Sequence, residues 1–316
     1  MREDPLADLG ARALTEPSFA DLMKLSGRAG LLSRPPRAIN ARQRGDYRAH
    51  FKARGMEYGE SRPYQQGDDV RALDWRLTAR LGKPHTKLFQ EERERPVHLV
   101  LDLGSSMAFA TRGVFKCVQA ARAAALLAWK AVEDGDRLGG MIFTDRDCYE
   151  AIPARGSLAA ARFFKAIVSV SSSPTNSSAN DRRSTGMTAA TPMARVRRLI
   201  KPGSLLFLIT DGRMLGSKEF SEISVISRNN EIGILLIYDA FEANLPILNQ
   251  PLTVKSKDGE FNLPSADDEI RRRYAARFRA REDEIHQFCK NQRLMFGTLA
   301  TTGDPFISVQ RLLGGR

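Results

Sequence analysis

The segment VHLVLDLGSSM, residues 97–107, decides the fold, because it joins a short apolar run to an aspartate and a turn of glycine and serine. An apolar run of about four to eight residues that ends in turn residues is typical of a buried β-strand that leads into a loop. We therefore predict that a strand begins at Val97 and carries Asp102 to one edge of a sheet.

Downstream of this segment, apolar runs alternate with stretches of helical periodicity. We predict strands at 137–143, 147–152 (antiparallel), 205–210, 232–239 and 294–299, and strand fragments at 252–255 and 260–263. We predict helices at 114–132, 157–168, 192–200, 217–229, 265–290 and 304–313. Strands that alternate with helices predict an α/β fold, a Rossmann-like and mostly parallel sheet with helices on both faces.

The rest of the chain falls into two segments before this α/β domain, which we place at residues 96–316. Residues 1–36 have helical periodicity up to a break at two prolines, which predicts an amino-terminal helical extension of one or two helices. Residues 37–95 are rich in glycine, arginine and turn residues, so we expect an irregular segment with short strands that packs on the core. Within the domain, the Ser-, Thr- and Asn-rich run 169–190 is expected to be mostly a surface loop.

Charge and cysteine content narrow the function classes. The formal net charge is +12, and residues 28–54 hold eight Lys and Arg residues but one acid, Asp46. This excess attracts polyanions, although no recognised nucleic-acid motif accompanies it. The three cysteines show no CxxC spacing, which favours reduced thiols. The first ten residues lack the apolar core of a signal peptide and no long apolar run follows, so we expect a cytoplasmic protein.

Three predicted strands end in an aspartate, at Asp102, Asp211 and Asp239. In open α/β sheets, the loops at the carboxyl ends of the strands form the binding crevice. Hard divalent cations such as Mg²⁺ favour carboxylates and hydroxyls as ligands. A metal site is therefore chemically possible at this edge.

The DxGxS turn after the first strand, a threonine on a later loop and the Thr-Asp-Gly after another strand resemble the metal-ion-dependent adhesion site of von Willebrand factor A domains. The resemblance implies a von Willebrand factor A-like fold in which Mg²⁺ or another divalent cation is held by Asp102, Ser106, Thr188 and Asp211. Thr185 and Thr191 are alternatives to Thr188. Gly104 stands where the family has its first serine, so one hydroxyl ligand is missing.

Residues 54–107 carry a second set of fixed spacings, Tyr-x-x-Gly-Asp-Asp-x-Arg-x-x-Asp-Trp, followed by Ala-Arg and an acidic run. In this chain they are Tyr64, Gly67, Asp68, Asp69, Arg71, Asp74, Trp75, Ala79, Arg80 and the run 91–95. The pattern is similar to that of the bacterial domain-of-unknown-function family 58 (DUF-58), from which the serine-rich insertion departs. The resemblance implies a MoxR-type AAA+ ATPase as the partner, in the assembly or maturation of protein complexes.

Two interpretations of the residues in this pattern stay open. The carboxylates of Asp68, Asp69 and Asp74 can accept backbone N–H groups, and Arg71 and Arg80 supply bidentate donors. These residues would then be structural staples that lock an irregular segment in place, and Trp75 is expected to be a buried anchor. The alternative is that the same six residues contact a partner.

The sequence therefore predicts a non-catalytic protein-interaction module with a degenerate metal site. No GxxxxGK[ST] or GxGxxG motif occurs, and no Ser-His or Cys-His nucleophile pair stands out. One alternative is a basic nucleic-acid-binding protein that uses residues 28–54. A third hypothesis is a metal-dependent hydrolase that uses Asp102 and Asp211, although no base is evident. The arginines of the charged helix at 265–290 are expected to be solvated.

Overall fold

The computed structural model describes residues 11–33, 56–65, 73–91, 95–172, 191–247, 252–256, 259–263 and 267–315. The chain divides into two units, one of Met1–Ala38 with Arg95–Arg316 and one of Ile39–Glu94. The helices are α1 (Ala11–Thr15), α2 (Phe19–Lys24), α3 (Ser26–Ala29), α4 (Trp75–Leu81), α5 (Lys116–Glu133), α6 (Ser157–Ser171), α7 (Pro192–Leu199), α8 (Ser217–Ser227), α9 (Ala240–Ala243), α10 (Asp268–Gln292) and α11 (Pro305–Leu312). The strands are β1 (Met56–Pro63), β2 (His85–Glu91), β3 (Pro96–Asp102), β4 (Arg137–Phe143), β5 (Cys148–Ala154), β6 (Leu205–Thr210), β7 (Glu231–Tyr238), β8 (Leu252–Ser256), β9 (Gly259–Leu263) and β10 (Met295–Ala300).

The larger unit is built on a six-stranded sheet with the order β10-β7-β6-β3-β4-β5. All neighbours are parallel except β4 and β5, which are antiparallel. If these six strands are renumbered 1 to 6 by their order along the chain, the sheet reads 3-2-1-4-5-6 from β5 to β10. This is the doubly wound strand order, and the direction in which strands are added reverses between β3 and β6. The prediction of a mostly parallel sheet with helices on both faces is confirmed, and the crevice that such a reversal creates lies at the carboxyl ends of β3 and β6.

Two apolar layers cover the two faces of this sheet. Alternate residues of a strand point to opposite faces, so Leu99 and Leu101 contribute to one layer and Val100 to the other. Helices α5, α6 and α11 form the first layer, and α7, α8 and α10 form the second. Strand β6 is buried at all six positions, because both of its faces are covered.

Small residues allow the close packing around the central strand β3. Helix α5 is rich in alanine and buried over most of its length, which brings its backbone near the sheet. Gly140 of β4 has a φ of 155°, and a Cβ at this position would overlap the carbonyl oxygen of Leu99. Only glycine allows this approach between the two strands. Among the described residues, no helix combines the length and the apolar character needed to cross a membrane.

The amino-terminal helices belong to the larger unit and pack on its α5 and α11. One or two helices were expected here, and the described residues form three short ones, α1, α2 and α3. The indole N–H of Trp129 donates to the carbonyl oxygen of Leu22 at 3.0 Å, and Arg28 forms an ion pair with Asp304 at 2.9 Å. These contacts attach the amino-terminal segment to α5 and to the start of α11.

The smaller unit contains the antiparallel pair β1 and β2, with helix α4 between them in sequence. The short strands agree with the prediction for this segment, but α4 was not predicted. Its ends carry recognisable caps, because the Asp74 carboxylate accepts the Leu77 N–H at 3.1 Å and Gly82 has a left-handed φ of 68°.

His98, in the middle of β3, makes the stability of the larger unit depend on pH. Burial lowers its pKa to about 4, so the folded protein keeps this side chain neutral. In the unfolded chain the pKa of His98 has its usual value of 6.5, so the unfolded chain binds a proton at a higher pH than the folded protein does. The stability that is present above about pH 6.5 is therefore lost as the pH falls towards 4.

We predict that His98→Leu weakens this dependence. Between pH 8 and pH 5, the wild type should lose about 2 kcal/mol of unfolding free energy through His98, and the variant should not. Urea denaturation of both proteins at the two pH values measures the difference, in which the other titrating groups cancel. Equal losses in the two proteins would show that His98 does not titrate in this way.

Candidate functional site

The carboxylate of Asp102 links β3 to β6 at the reversal of the sheet. Its side chain is buried, and Oδ1 accepts the Gly104 N–H at 2.9 Å. Oδ2 accepts the hydroxyl of Thr210, the last residue of β6, at 2.7 Å. Burial raises the pKa of Asp102 to about 6, against the effect of these two hydrogen bonds, and the nearby charges of Asp211 and Asp145 add to the rise.

Asp145, in the turn between β4 and β5, fills the space beside Gly104. The Ser105 N–H donates to its carboxylate at 3.1 Å. A Cβ at position 104 would lie 3.0 Å from Asp145 Oδ1 and 3.2 Å from Asp102 Oδ1, which is tighter than ordinary van der Waals contact. A serine at position 104 would therefore require the Asp145 carboxylate to shift by a few tenths of an ångström.

A fully buried ammonium group lies at the centre of this edge. Lys116, the first residue of α5, places its Nζ 2.9 Å from Asp211 Oδ2 and 2.8 Å from Glu242 Oε1. Arg213 also donates to Glu242, at 2.9 Å, so two cations and two carboxylates form one network. The positive end of the helix dipole disfavours a cation at this position, and the two carboxylates offset that cost.

The environment of Asp211 favours its ionised form. Burial alone would raise its pKa, but the charge and hydrogen bond of Lys116, with further donation from the Arg213 N–H and the Ser106 hydroxyl, lower the pKa below its usual value. Asp102 and Asp211, which end neighbouring strands, thus have pKa shifts of opposite sign. Of these two aspartates, Asp211 alone has an ionic partner among the described residues.

Asp239 forms a second, separate cluster at the end of β7. Its two oxygens accept the hydroxyls of Thr111 and Thr301, both at 2.6 Å, and the N–H groups of Thr111 and Phe241. Burial opposes ionisation, but these four donors together lower the pKa of Asp239. All three strand-ending aspartates predicted from the sequence therefore lie at the carboxyl edge, each held by donors from the chain.

A family model described as "Protein of unknown function DUF58" matches residues 60–284. The chain belongs to the DUF58 family. Uncharacterized proteins of Mycobacterium tuberculosis (Rv1480) and Mycobacterium bovis (Mb1516) are each 39% identical to this DUF58 chain over 111 residues. That match covers 35% of this chain and 35% of each relative, so it spans about a third of the relatives' length.

Solved structures with limited similarity to the DUF58 chain include BatB from Bacteroides thetaiotaomicron, with 14% identity and a TM-score of 0.42. That match covers 70% of this chain and 97% of BatB. An aerotolerance-related membrane protein from Bacteroides fragilis has 18% identity and a TM-score of 0.36, over 61% of this chain and 99% of its own.

The structure brings together three of the four predicted metal ligands, Asp102, Ser106 and Asp211. Thr188, like its alternative Thr185, lies outside the described residues. The other alternative, Thr191, caps α7, where its hydroxyl accepts the N–H of Ala194 at 3.3 Å.

The three assembled residues do not fit a divalent cation. The Lys116 ammonium already neutralises Asp211, and both oxygens of Asp102 accept hydrogen bonds within the chain. Burial raises the pKa of Asp102 to about 6, so the charged form that a hard cation binds is less favourable here than in an exposed carboxylate. Within the described part of the chain, no group of three or more His, Cys, Asp or Glu side chains could hold a metal ion.

The remaining predicted site residues belong to the smaller unit of the DUF58 chain. Asp68, Asp69 and Arg71 lie outside the described residues. Asp74 caps α4 and also accepts the hydroxyl of Ser61 at 3.1 Å. Arg80 lies exposed in the last turn of α4.

The expectation that Trp75 is a buried anchor is wrong. Its side chain is 67% exposed, because Trp75 is the first residue of α4 and follows the capping Asp74. The buried residue of this dipeptide is the aspartate, which is held by its hydrogen bonds. Trp75 therefore gives the smaller unit a large exposed aromatic surface.

Three residues of this edge were not predicted from the sequence: Lys116, Glu242 and Asp145. A signal for Lys116 was present, because a lysine begins a helix of which nearly every face is apolar, where a charge needs a partner. Glu242 lies in α9, three residues after Asp239, and Asp145 lies in the turn between β4 and β5. Only the fold brings them to the edge.

We predict that Lys116→Met lowers the free energy of unfolding by about 3 kcal/mol, because it leaves the buried Asp211 carboxylate without its main partner. Urea denaturation measures the change. The double variant Lys116→Met/Asp211→Asn removes the unpaired charge and should recover part of the loss. A Lys116→Met protein within about 0.5 kcal/mol of the wild type would contradict the importance of the pair.

Proposed function

We propose that this DUF58 chain is a non-catalytic protein-interaction module, an accessory partner of a MoxR-type AAA+ ATPase in the assembly or maturation of protein complexes. In this proposal its larger unit is a von Willebrand factor A-like domain with a degenerate adhesion site. The partner class comes from the resemblance of the motif at 64–75 and from the family membership. A cytoplasmic location is part of the proposal and is supported by the free thiols of Cys117, Cys148 and Cys289.

One observation carries the proposal: the carboxylates at the reversal of the sheet are already held by donors of the chain itself. Asp211 and Glu242 are paired with Lys116, so neither is available as the base that a hydrolase needs. Asp102 is buried and accepts two hydrogen bonds. This arrangement supports a binding role for the edge, because its carboxylates are held in place and are not free to react.

The loop that leads from β3 to α5 provides that surface. Phe109 is 38% exposed in this loop, and its ring centroid lies 5.9 Å from the Lys116 ammonium beneath it. An exposed aromatic ring above a fixed polar layer is the kind of residue that dominates protein–protein interfaces. We therefore place the partner contact at the carboxyl edge, around Phe109.

The described part of the basic segment gives little support to the nucleic-acid alternative. Of the basic segment 28–54, the structure describes 28–33. Arg28, the one basic residue in that part, forms an ion pair with Asp304 and lies 4.8 Å from the ring centroid of Phe306. Its guanidinium thus has a role inside the larger unit.

We predict that Phe109→Ala weakens binding to a purified MoxR-type ATPase by at least about tenfold, because it removes a central apolar contact. Ile152→Ala is the matched control, since Ile152 is 77% exposed on β5 and far from the loop in sequence. Surface-immobilised wild type and variants are titrated with the ATPase in the presence of Mg²⁺ and nucleotide. Equal affinities of the two variants, or no binding by the wild type, would refute the proposal.

The same titration tests whether a metal bridges the complex. Asp102→Asn keeps a hydrogen-bonding side chain but removes the carboxylate that a bridging cation would require. We expect this variant to bind the ATPase within about twofold of the wild type. A loss of affinity comparable to that of Phe109→Ala would instead support a metal ion that bridges the two proteins.

A further inference from the structure

Helix α10 carries a dense block of positive charge. Residues 271–281 contain six arginines and no acid, whereas acids occupy 267–269 before the block and 282–284 after it. Four of the six arginines are exposed and the other two are half-buried. At about 1.5 Å per residue, the block is roughly 16 Å long.

Only the carboxy-terminal half of α10 is built into the core. Its fully buried residues, Ile285 and Cys289, belong to the apolar layer that covers one face of the sheet. The arginine block precedes them and packs near α9, the short helix that follows β7. Since β7 ends at the carboxyl edge, the block lies beside the crevice that holds Asp211 and Glu242.

A cleft of about 370 Å³ runs between the block and that crevice. Its wall carries Arg277, Arg281 and the half-buried rings of Tyr274 and Phe278, and Arg213 lies opposite on the loop after β6. A wider groove of about 680 Å³ on another side of the helix includes further arginines of the block, Arg271, Arg272 and Arg279.

Two cations of this cleft, Arg277 and Arg281, are not neutralised within it. Asp211 and Glu242 in its floor are already paired with Lys116 and Arg213. Among the described residues, no carboxylate oxygen lies within 4.0 Å of the guanidinium groups of Arg277 or Arg281. Charge complementarity therefore calls for an anionic ligand.

We infer that the arginine block 271–281 and its cleft form a docking site for a short acidic segment of a partner protein. Guanidinium groups bind carboxylates in bidentate geometry, and the rings of Tyr274 and Phe278 offer apolar surface to the side chains between them. The inference deepens the proposed function, on which it rests, by assigning the chemistry of the partner's contacting segment.

A protein segment suits this site better than a nucleic acid does. Glu282 lines the cleft together with Arg277 and Arg281, and more acids follow in the next turn of α10. A uniform phosphate backbone is repelled by these carboxylates, whereas a peptide can match alternating signs. The roughly 16 Å length of the block also matches a few extended residues.

The test uses the full chain and two fluorescent probes, a net-acidic decapeptide in which glutamates alternate with leucine and lysine, and a 20-nucleotide single-stranded DNA. Arg277→Glu/Arg281→Glu should weaken binding of the peptide by at least about tenfold. The neutral variant Arg277→Gln/Arg281→Gln should weaken it less, and thermal melting checks that both variants are folded. Arg228→Glu is the matched control, because Arg228 is exposed at the end of α8, at the opposite edge of the sheet, and should leave binding within twofold.

Equal peptide affinities of Arg277→Glu/Arg281→Glu and Arg228→Glu would overturn the inference, as would tighter binding of the DNA than of the peptide. The outcome is separable from that of the ATPase titration. Arginine-dependent peptide binding without ATPase binding would refute the proposed partner and leave the acidic-segment site standing. ATPase binding that does not change in Arg277→Glu/Arg281→Glu would support the proposed partner and refute the acidic-segment site.

Discussion

The ion pairs of Lys116 hold together the carboxyl edge of the sheet. Through Asp211 and Glu242, one buried ammonium joins the start of α5, the loop after β6 and the helix α9. A cation at a helix amino terminus faces the positive end of the dipole, so the lysine is favourable only while both carboxylates remain in place. The three elements are thereby coupled, and loss of Lys116 leaves the buried Asp211 carboxylate without its main partner.

Three features of this edge differ from the adhesion-site pattern that the sequence resembles. Where that pattern has a serine, this chain has Gly104, and the Asp145 carboxylate takes the free space. Asp211 is the predicted ligand with the lowered pKa, yet its charge is balanced from inside the protein. Asp102 is buried against Thr210, and its burial raises the pKa of its carboxyl to about 6. These features are the physical basis for proposing that Lys116, and not a metal ion, provides the positive charge at the carboxyl edge of the sheet.

Most of the larger unit could be predicted from sequence because its strands are continuous apolar runs and its helices have clear periodicity. The strand at 205–210 has the observed bounds, since both faces are buried and the pattern ends at a Thr-Asp-Gly turn. The site was predicted only in part. Asp102 and Asp211 follow from strand ends, but Glu242 and Asp145 reach the edge through tertiary folding. Helix α4 was missed because residues 37–95 were expected to be irregular from their glycine, arginine and turn-residue content, although Asp74 and Gly82 cap it, and Trp75 was expected to be a buried anchor.

The electrostatics of the edge also determine where a partner can gain binding energy. Because Lys116 and Arg213 already neutralise the carboxylates around the crevice, contacts inside it would have to break existing pairs. The exposed arginines of α10 carry no such cost, since their charges face solvent and no described carboxylate pairs with Arg277 or Arg281. A partner that approaches the carboxyl edge is therefore steered by the α10 arginines and meets an apolar contact at Phe109, while the buried network beneath keeps the surface rigid.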